Sequence, residues 1–189
     1  MNLLFRLIRM LITAWLFGKR DVDTAKALLE PARVTMRCWP TDMDLNFHMN
    51  NGRYLSIMDL GRVDMMLRAG FLTKALKRGW MPVVAASTMR YRRAIGPFER
   101  FQIETQIIGW DEKWVYIEQR FYGRDGRVKA LGLVQTAVTS KQGRVPTAEL
   151  MEAAGVDLNA VASRAYVEDW TKMLADWPVD PSVEVAEAA

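Results

Sequence analysis

The chain has 189 residues, half of them apolar and a quarter charged, which is the composition of a folded domain and excludes an intrinsically disordered protein. Its single cysteine, Cys38, excludes an internal disulfide and is typical of a reducing compartment, so we expect a cytoplasmic protein. One histidine and one cysteine are too few for a His/Cys metal site, and a net charge of +4 without a nucleic-acid motif argues against a nucleic-acid partner. We expect neither a metal nor another cofactor.

The first segment, residues 1–20, carries basic residues and no acid among apolar side chains. Its longest uncharged run is far shorter than the roughly 20 residues that a bilayer span needs. At helical spacing Arg6 and Arg9 fall on one face, which predicts an amphipathic helix. Two interpretations remain open. Either residues 1–18 lie on the cytoplasmic membrane, with the arginines facing anionic headgroups and the Trp15–Phe17 end as anchor, or the helix packs on the protein itself or on a partner subunit.

The first half of the remaining chain is predicted to be mainly helical. Residues 21–31 form a short helix that ends at Pro31, and residues 32–39 form a strand. Residues 52–70 carry apolar side chains on nearly all faces of a helical wheel, which predicts a buried helix. A second short helix is predicted over residues 71–78.

The second half changes to the two-residue period of strands. Four long strands, joined as an antiparallel meander, are predicted over residues 83–93, 98–110, 113–123 and 127–143. Helices are predicted over residues 146–154 and 160–175, and residues 177–189 are predicted to be a frayed tail.

A helix that is apolar on most sides needs its surface buried, and a long antiparallel sheet buries it by curling around the helix. The sequence therefore predicts an α+β chain with a hot-dog fold over residues 32–147, preceded by the amphipathic helix. A C-terminal helical extension and acidic tail follow over residues 148–189. The open sheet edge favours pairing with a second copy, so we expect a homodimer or a dimer of dimers, with active sites at the subunit interface.

The densest polar stretch, DMDLNFHMNNGRY at residues 42–54, directly precedes the predicted buried helix. Its motif D-x-D-x-x-x-H-x-N-N-x-x-Y resembles the hot-dog thioesterases of the 4-hydroxybenzoyl-CoA type, and the likeness covers roughly residues 32–147. Together with the amphipathic N-terminus, HMNNGRYL resembles the branch of that family called thioesterase superfamily member six. The matching residues are Asp42, Asp44, His48, Asn50, Asn51, Tyr54, Asp59 and Arg62.

The resemblance implies hydrolysis of an acyl-CoA or acyl-carrier thioester with a fatty or otherwise hydrophobic acyl group. It assigns Asp44 the role of general base or nucleophile, with His48 positioning water or Asp44 and Asn46 orienting the nucleophile. Plant acyl-carrier-protein thioesterases carry D-x-N-x-H at this loop and an acid after a later Tyr-Arg-Arg, where this chain has Ala94. This difference favours the single-aspartate chemistry of the hydroxybenzoyl-type enzymes.

Substrate contacts are expected around the start of the buried helix. The N-terminal N–H groups near Asn51 and Gly52 are expected to face the thioester carbonyl as an oxyanion site. Asn50 or Asn51 is expected to cap the helix, and Gly52 to allow close approach of a ligand. Tyr54 is a further candidate contact, for which packing is the commoner role.

Positive charge is needed for the phosphates of CoA or phosphopantetheine, and Arg90 and Arg93 of the basic stretch are candidate cations. The resemblance to the hydroxybenzoyl-type enzymes adds Lys113, which falls near their contacts with the CoA phosphates. Three other functions remain open, one of them a membrane-tethered scaffold whose acidic C-terminal tail binds a partner. A dehydratase of the same fold would carry a His/Glu pair on the helix, whereas His48 precedes it. A non-catalytic acyl or lipid binder tethered to a membrane fits the same features, and turnover of a thioester separates it from the enzyme.

Overall fold

The computed structural model describes residues 2–17, 22–162 and 164–176. Its elements, in chain order, are α1 (Asn2–Phe17), α2 (Thr24–Leu29), β1 (Ala32–Arg37), a 3₁₀ turn (Pro40–Asp42), α3 (Asn51–Arg68), α4 (Phe71–Lys77), β2 (Met81–Tyr91), β3 (Arg100–Trp110), β4 (Val115–Tyr122), β5 (Val128–Ser140), β6 (Gly143–Val145), α5 (Thr147–Ala154) and α6 (Ala165–Asp176). Within the described residues, each predicted helix and long strand is therefore confirmed. The predicted tail, residues 177–189, lies outside them.

The strands form one antiparallel sheet in the order β1-β3-β4-β5-β2, with β6 paired to β5. The predicted meander is confirmed for β3, β4 and β5 and is wrong for β2, which pairs with β5 so that Met89 lies opposite Gly132. The reason is the connection over residues 92–99, which passes the end of α3 instead of turning back. Ile95 in this connection is fully buried, and its carbonyl accepts the N–H of Met49 at 2.9 Å.

The central helix α3 packs against the sheet through most of its sides. Its buried residues are Tyr54, Ile57, Met58, Leu60, Gly61, Asp64 and Met65. A Cβ at Gly61 would lie 2.7 Å from both Gln119 Nε2 and Thr105 Oγ1, so only glycine allows this approach of helix to sheet. Gly132 in β5 likewise makes room for the Met58 side chain. The sheet thus encloses the helix, and the predicted hot-dog fold is confirmed.

The helix α1 packs on this unit through the side that carries Arg6 and Met10, which are 5% and 7% exposed. Of the two arginines that helical spacing places on one face, Arg6 is buried, and its guanidinium points inward and pairs with Asp42. Arg9 and Thr13 remain exposed. The interpretation that α1 packs on the protein itself therefore describes its inner side.

The outer side of α1 is apolar and open to solvent. Its exposed large side chains are Leu4, Phe5, Ile8, Leu11, Ile12 and Leu16. The side chains of Trp15 and Phe17, which form the predicted anchor, lie outside the described part of the structure, as do residues 18–20. Among the described residues, α1 and the other helices are too short or too polar to cross a membrane.

Candidate active site

The polar stretch between β1 and α3 folds into a closed loop. Met43 and Met49 pair as an antiparallel bridge, and inside that bridge the Asp44 N–H donates to the His48 carbonyl at 3.0 Å. Phe47 takes the left-handed conformation, with φ of 58°, and its N–H donates to the Asp44 carbonyl at 3.1 Å. The loop therefore turns back on itself and places Asp44 beside His48.

The side chains of Asp44 and His48 face each other at the open side of the loop. Asp44 Oδ1 lies 3.6 Å from His48 Nδ1, a distance longer than a direct hydrogen bond, and it accepts the Asn46 N–H at 2.9 Å. The Asp44 side chain is 22% exposed and that of His48 is 37% exposed, so solvent and a ligand reach both. Such a carboxylate can take a proton from water or attack an acyl carbon. Asn46 enters this arrangement through its backbone, and its residue is exposed.

The start of α3 lies directly after this loop. Asn50 is the N-cap, and its Oδ1 accepts the Gly52 N–H at 2.9 Å. The expected cap at Asn50 or Asn51 is thus formed by Asn50, and it occupies the N–H of Gly52. Asn51 is the first residue of the helix, and a first-turn N–H has no acceptor within its own helix. The Asn51 N–H and the positive end of the helix are therefore the groups suited to stabilise an oxyanion.

Tyr54 lies in the core, away from the reachable residues of the loop. It is 2% exposed, and its ring packs edge-to-face against Tyr91 at 5.2 Å and Phe121 at 4.9 Å between centroids. Burial raises the pKa of its hydroxyl to about 12. This position supports packing as the role of Tyr54 and offers little surface to a substrate.

Arg90 and Arg93, two of the cations predicted to bind phosphates, lie where β2 ends, and both are exposed. Tyr91 stands between them, and its hydroxyl donates to the Asn51 carbonyl at 3.0 Å, which holds this end of β2 against the start of α3. Sequence reasoning did not single out Tyr91, because strand alternation does not tell which helix end a strand residue reaches. Its position inside the basic stretch RYRR was the available signal.

Lys113, the third predicted cation, lies in the turn between β3 and β4. This turn lies near the start of β2, because Val115 pairs with Thr136 and Thr136 pairs with Val84. Arg90 lies at the other end of that strand. One chain therefore brings Arg90 and the loop that carries Asp44 and His48 to the same end of the sheet and leaves Lys113 at the other.

Asp42, at the root of the loop, is 1% exposed and accepts the Trp39 N–H at 2.8 Å. Its carboxylate thereby caps the 3₁₀ turn Pro40–Asp42, while the N-cap of α3 is Asn50. Two arginines also pair with Asp42, which sequence reasoning missed: Arg6 of α1, and Arg53, whose Nε lies 3.1 Å from Asp42 Oδ1. Arg53 belongs to the first turn of α3, so Asp42 connects three elements of the chain.

An apolar cavity of about 170 Å³ lies beside the second half of α3. Its lining includes Val63, Met65, Met66, Val84, Ile117 and Met151. Arg62 borders the cavity, pairs with Asp59 and donates to Gln119 Oε1 at 2.7 Å. Burial lowers the pKa of the Arg62 guanidinium. Among the described residues, His, Cys, Asp and Glu form no group of three that could bind a metal ion.

Comparison with protein families and curated proteins identifies relatives of the chain. The sequence profile of the thioesterase-like superfamily matches residues 38–176. Protein THEM6 of Xenopus laevis is 34% identical over 119 residues, which cover 59% of this chain and 58% of that protein. Protein THEM6 of Danio rerio is 42% identical over 98 residues, covering 51% and 48%. The chain thus spans about half the length of these curated relatives.

Solved structures share the fold at low sequence identity. A probable thioesterase of Escherichia coli, YbaW, superposes with a TM-score of 0.60 at 21% identity, covering 64% of this chain and 94% of that one. A protein of Staphylococcus aureus solved in complex with CoA, SAV2348, gives a TM-score of 0.59 at 13% identity, covering 80% and 92%. At these identities the likeness supports the fold alone.

Proposed function

Because the chain belongs to the thioesterase-like superfamily, we propose that it hydrolyses thioesters, with Asp44 as general base or nucleophile. The observation that carries this proposal is the half-exposed pair of Asp44 and His48, 3.6 Å apart, beside the N-terminus of α3. Water and the thioester are converted to a carboxylic acid and a thiol, so no cofactor enters the reaction.

The arrangement of the loop gives each group a part in the reaction. The thioester carbonyl would lie at the start of α3, where the Asn51 N–H and the helix dipole oppose the negative charge that develops on its oxygen. Asp44 would either take a proton from the attacking water or attack the acyl carbon itself. In the second route the C–S bond breaks, the thiolate leaves and takes up a proton, and water then hydrolyses the anhydride formed with Asp44. His48 would hold the water or Asp44 in place.

The apolar cavity supports a fatty or otherwise hydrophobic acyl group as substrate. It lies beside α3, the helix whose N-terminus would receive the carbonyl, and Met65 and Met66 in its lining are flexible apolar side chains. Acyl-CoA and acyl-carrier thioesters share the phosphopantetheine thiol, so both fit the same reacting group.

The open edge of β2 supports a homodimer or a dimer of dimers. This strand lies at the end of the sheet order, and its apolar residues Met81, Val83 and Val84 are 56%, 41% and 49% exposed. Antiparallel pairing of β2 with a second copy about a two-fold axis would place the start of one strand beside the end of the other. Lys113 of the second copy would then approach Arg90 of the first and complete a phosphate site.

The outer side of α1 supports peripheral contact with the cytoplasmic membrane. Because removing α1 would also remove Arg6 from Asp42, the matched variant is Ile8→Gln with Ile12→Gln, which changes side chains that are 42% and 51% exposed. Co-sedimentation with anionic liposomes should fall in this double variant, while its thermal stability stays unchanged. Equal binding by both proteins would contradict the membrane contact.

Turnover of a panel of acyl-CoAs, from short to long and aromatic, tests the proposed reaction through the thiol released. We expect hydrolysis, with hydrophobic acyl groups turned over at the highest kcat/KM. Tight binding of acyl-CoA without turnover of any member would instead favour a non-catalytic acyl or lipid binder, a function that the open apolar side of α1 also fits.

A further inference from the structure

The buried carboxylate of Asp42 joins three separate elements of the chain. Its oxygens accept the Trp39 N–H at 2.8 Å, and they pair with Arg53 of α3 and with Arg6 of α1. The Arg6 guanidinium also donates to the Arg37 carbonyl at the end of β1, at 2.8 Å. Arg6 of the N-terminal helix α1 therefore contacts Asp42, the residue at the base of the candidate active site.

Asp42 also determines where the catalytic loop begins and ends. Its carbonyl accepts the Asn50 N–H at 2.9 Å, so the two ends of the loop meet at this residue. Asp44 follows two positions later, and Asn50 is the cap of the helix that would stabilise the oxyanion. If Asp42 moves, the distance between the Asp44 carboxylate and the start of α3 therefore changes.

Arg6 differs from its neighbour on the same helix, Arg9. Arg6 is 5% exposed and paired with a carboxylate that is itself buried, whereas Arg9 is exposed. A buried charge is held firmly when it is both paired and hydrogen-bonded, and the loss of one partner forces the other to rearrange. The two arginines therefore form a matched pair on one helix.

We propose that Arg6 is a positioning residue for the reaction: acting through Asp42, it fixes the Asp44 carboxylate relative to the N-terminus of α3. The N-terminal helix α1 then contributes a positioning residue to the active site in addition to its exposed outer side. The kinetic side of this inference rests on the proposed thioester hydrolysis, and its structural side does not.

Three variants of the full-length protein test the inference: Arg6→Gln, Arg6→Lys and, as the matched control, Arg9→Gln. Misplacing a catalytic group by about 1 Å costs roughly a hundredfold in rate, so Arg6→Gln should lower kcat by roughly 10- to 100-fold with little change in KM. Arg6→Lys, which keeps the charge and one donor, should recover part of kcat. Arg9→Gln should match the wild type.

Amide hydrogen exchange provides a readout that needs no turnover. In Arg6→Gln, exchange should become faster in residues 43–52 and stay unchanged in β4 and β5. If the wild-type protein hydrolyses no thioester, the proposed reaction fails while this measurement still decides the role of Arg6. Wild-type kcat and loop exchange in Arg6→Gln would overturn the inference, and so would exchange that rises equally across the whole sheet.

Discussion

The root and the tip of one loop carry the same residue type in opposite surroundings. At the root, Asp42 is 1% exposed, paired with two arginines and bonded to a backbone N–H. At the tip, the Asp44 side chain is 22% exposed, accepts one backbone N–H and faces His48 at 3.6 Å. The D-x-D spacing alone does not distinguish them.

The different surroundings of Asp42 and Asp44 indicate different roles for the two carboxylates. A carboxylate whose oxygens are all engaged in a buried ion pair is held in one place and has little capacity to accept a proton from a substrate. A carboxylate with free lone pairs, reachable by water, retains that capacity. Asp42 therefore stabilises the loop, and Asp44 is the residue left available for chemistry.

Substitution of Asp42 is predicted to lower the free energy of unfolding more than any other change considered. Asp42→Asn leaves Arg6 and Arg53 as buried or half-buried charges without their carboxylate, so the free energy of unfolding should fall by about 3 to 5 kcal/mol. Asp44→Asn should change it by less than about 1 kcal/mol, since Asp44 is half-exposed and lightly bonded. Urea denaturation of both variants and the wild type measures this difference. An equal loss of unfolding free energy in the two variants would contradict the claim that Asp42, and not Asp44, stabilises the loop.

The packing behind the loop gives a smaller, pH-dependent effect. Burial raises the pKa of Tyr54 from 10.0 to about 12, so between these pH values the unfolded chain loses the phenol proton while the folded chain keeps it. Stability is then lost as pH rises, and this one group should account for about 2 to 3 kcal/mol of the fall.

Urea denaturation at pH 10 and pH 12 checks this, with Tyr54→Phe as the control that lacks the ionisable group. The variant should lose less stability than the wild type over this interval. Identical losses in the two proteins would mean that Tyr54 ionises as readily in the folded state as in the unfolded state.

Two glycines of α3 give the smallest effect and separate the body of the helix from its start. Gly61→Ala introduces a methyl group 2.7 Å from Gln119 Nε2 and Thr105 Oγ1, which should cost about 1 to 3 kcal/mol of stability. Gly52→Ala meets only Asn50 Oδ1 at 3.3 Å, and the higher helix propensity of alanine offsets that contact. Thermal unfolding of both variants should show a lower Tm for Gly61→Ala alone.

Local patterns were sufficient to predict much of this molecule. The apolar wheel of residues 52–70 identified the central helix, and the motif at residues 42–54 identified the loop with Asp44 and His48. Both rest on residues near one another in the chain, where period and capping rules apply.

Long-range partners could not be read in the same way. Arg6 and Asp42 are 36 positions apart, and helical spacing carries no information about a distant buried carboxylate. The pairing of β2 with β5 was missed for a related reason, since chain order favours neighbouring strands while the crossing connection at residues 92–99 decides otherwise.

The availability of Asp44 for chemistry is tested most directly by kcat/KM for acyl-CoA hydrolysis in Asp44→Asn. Asp125→Asn is the matched control, because Asp125 Oδ1 accepts the Arg127 N–H at 3.1 Å just as Asp44 Oδ1 accepts the Asn46 N–H at 2.9 Å, in the turn between β4 and β5. We predict a fall of roughly 10²- to 10⁴-fold for Asp44→Asn and an unchanged value for Asp125→Asn. Wild-type turnover in a folded Asp44→Asn protein would contradict the account.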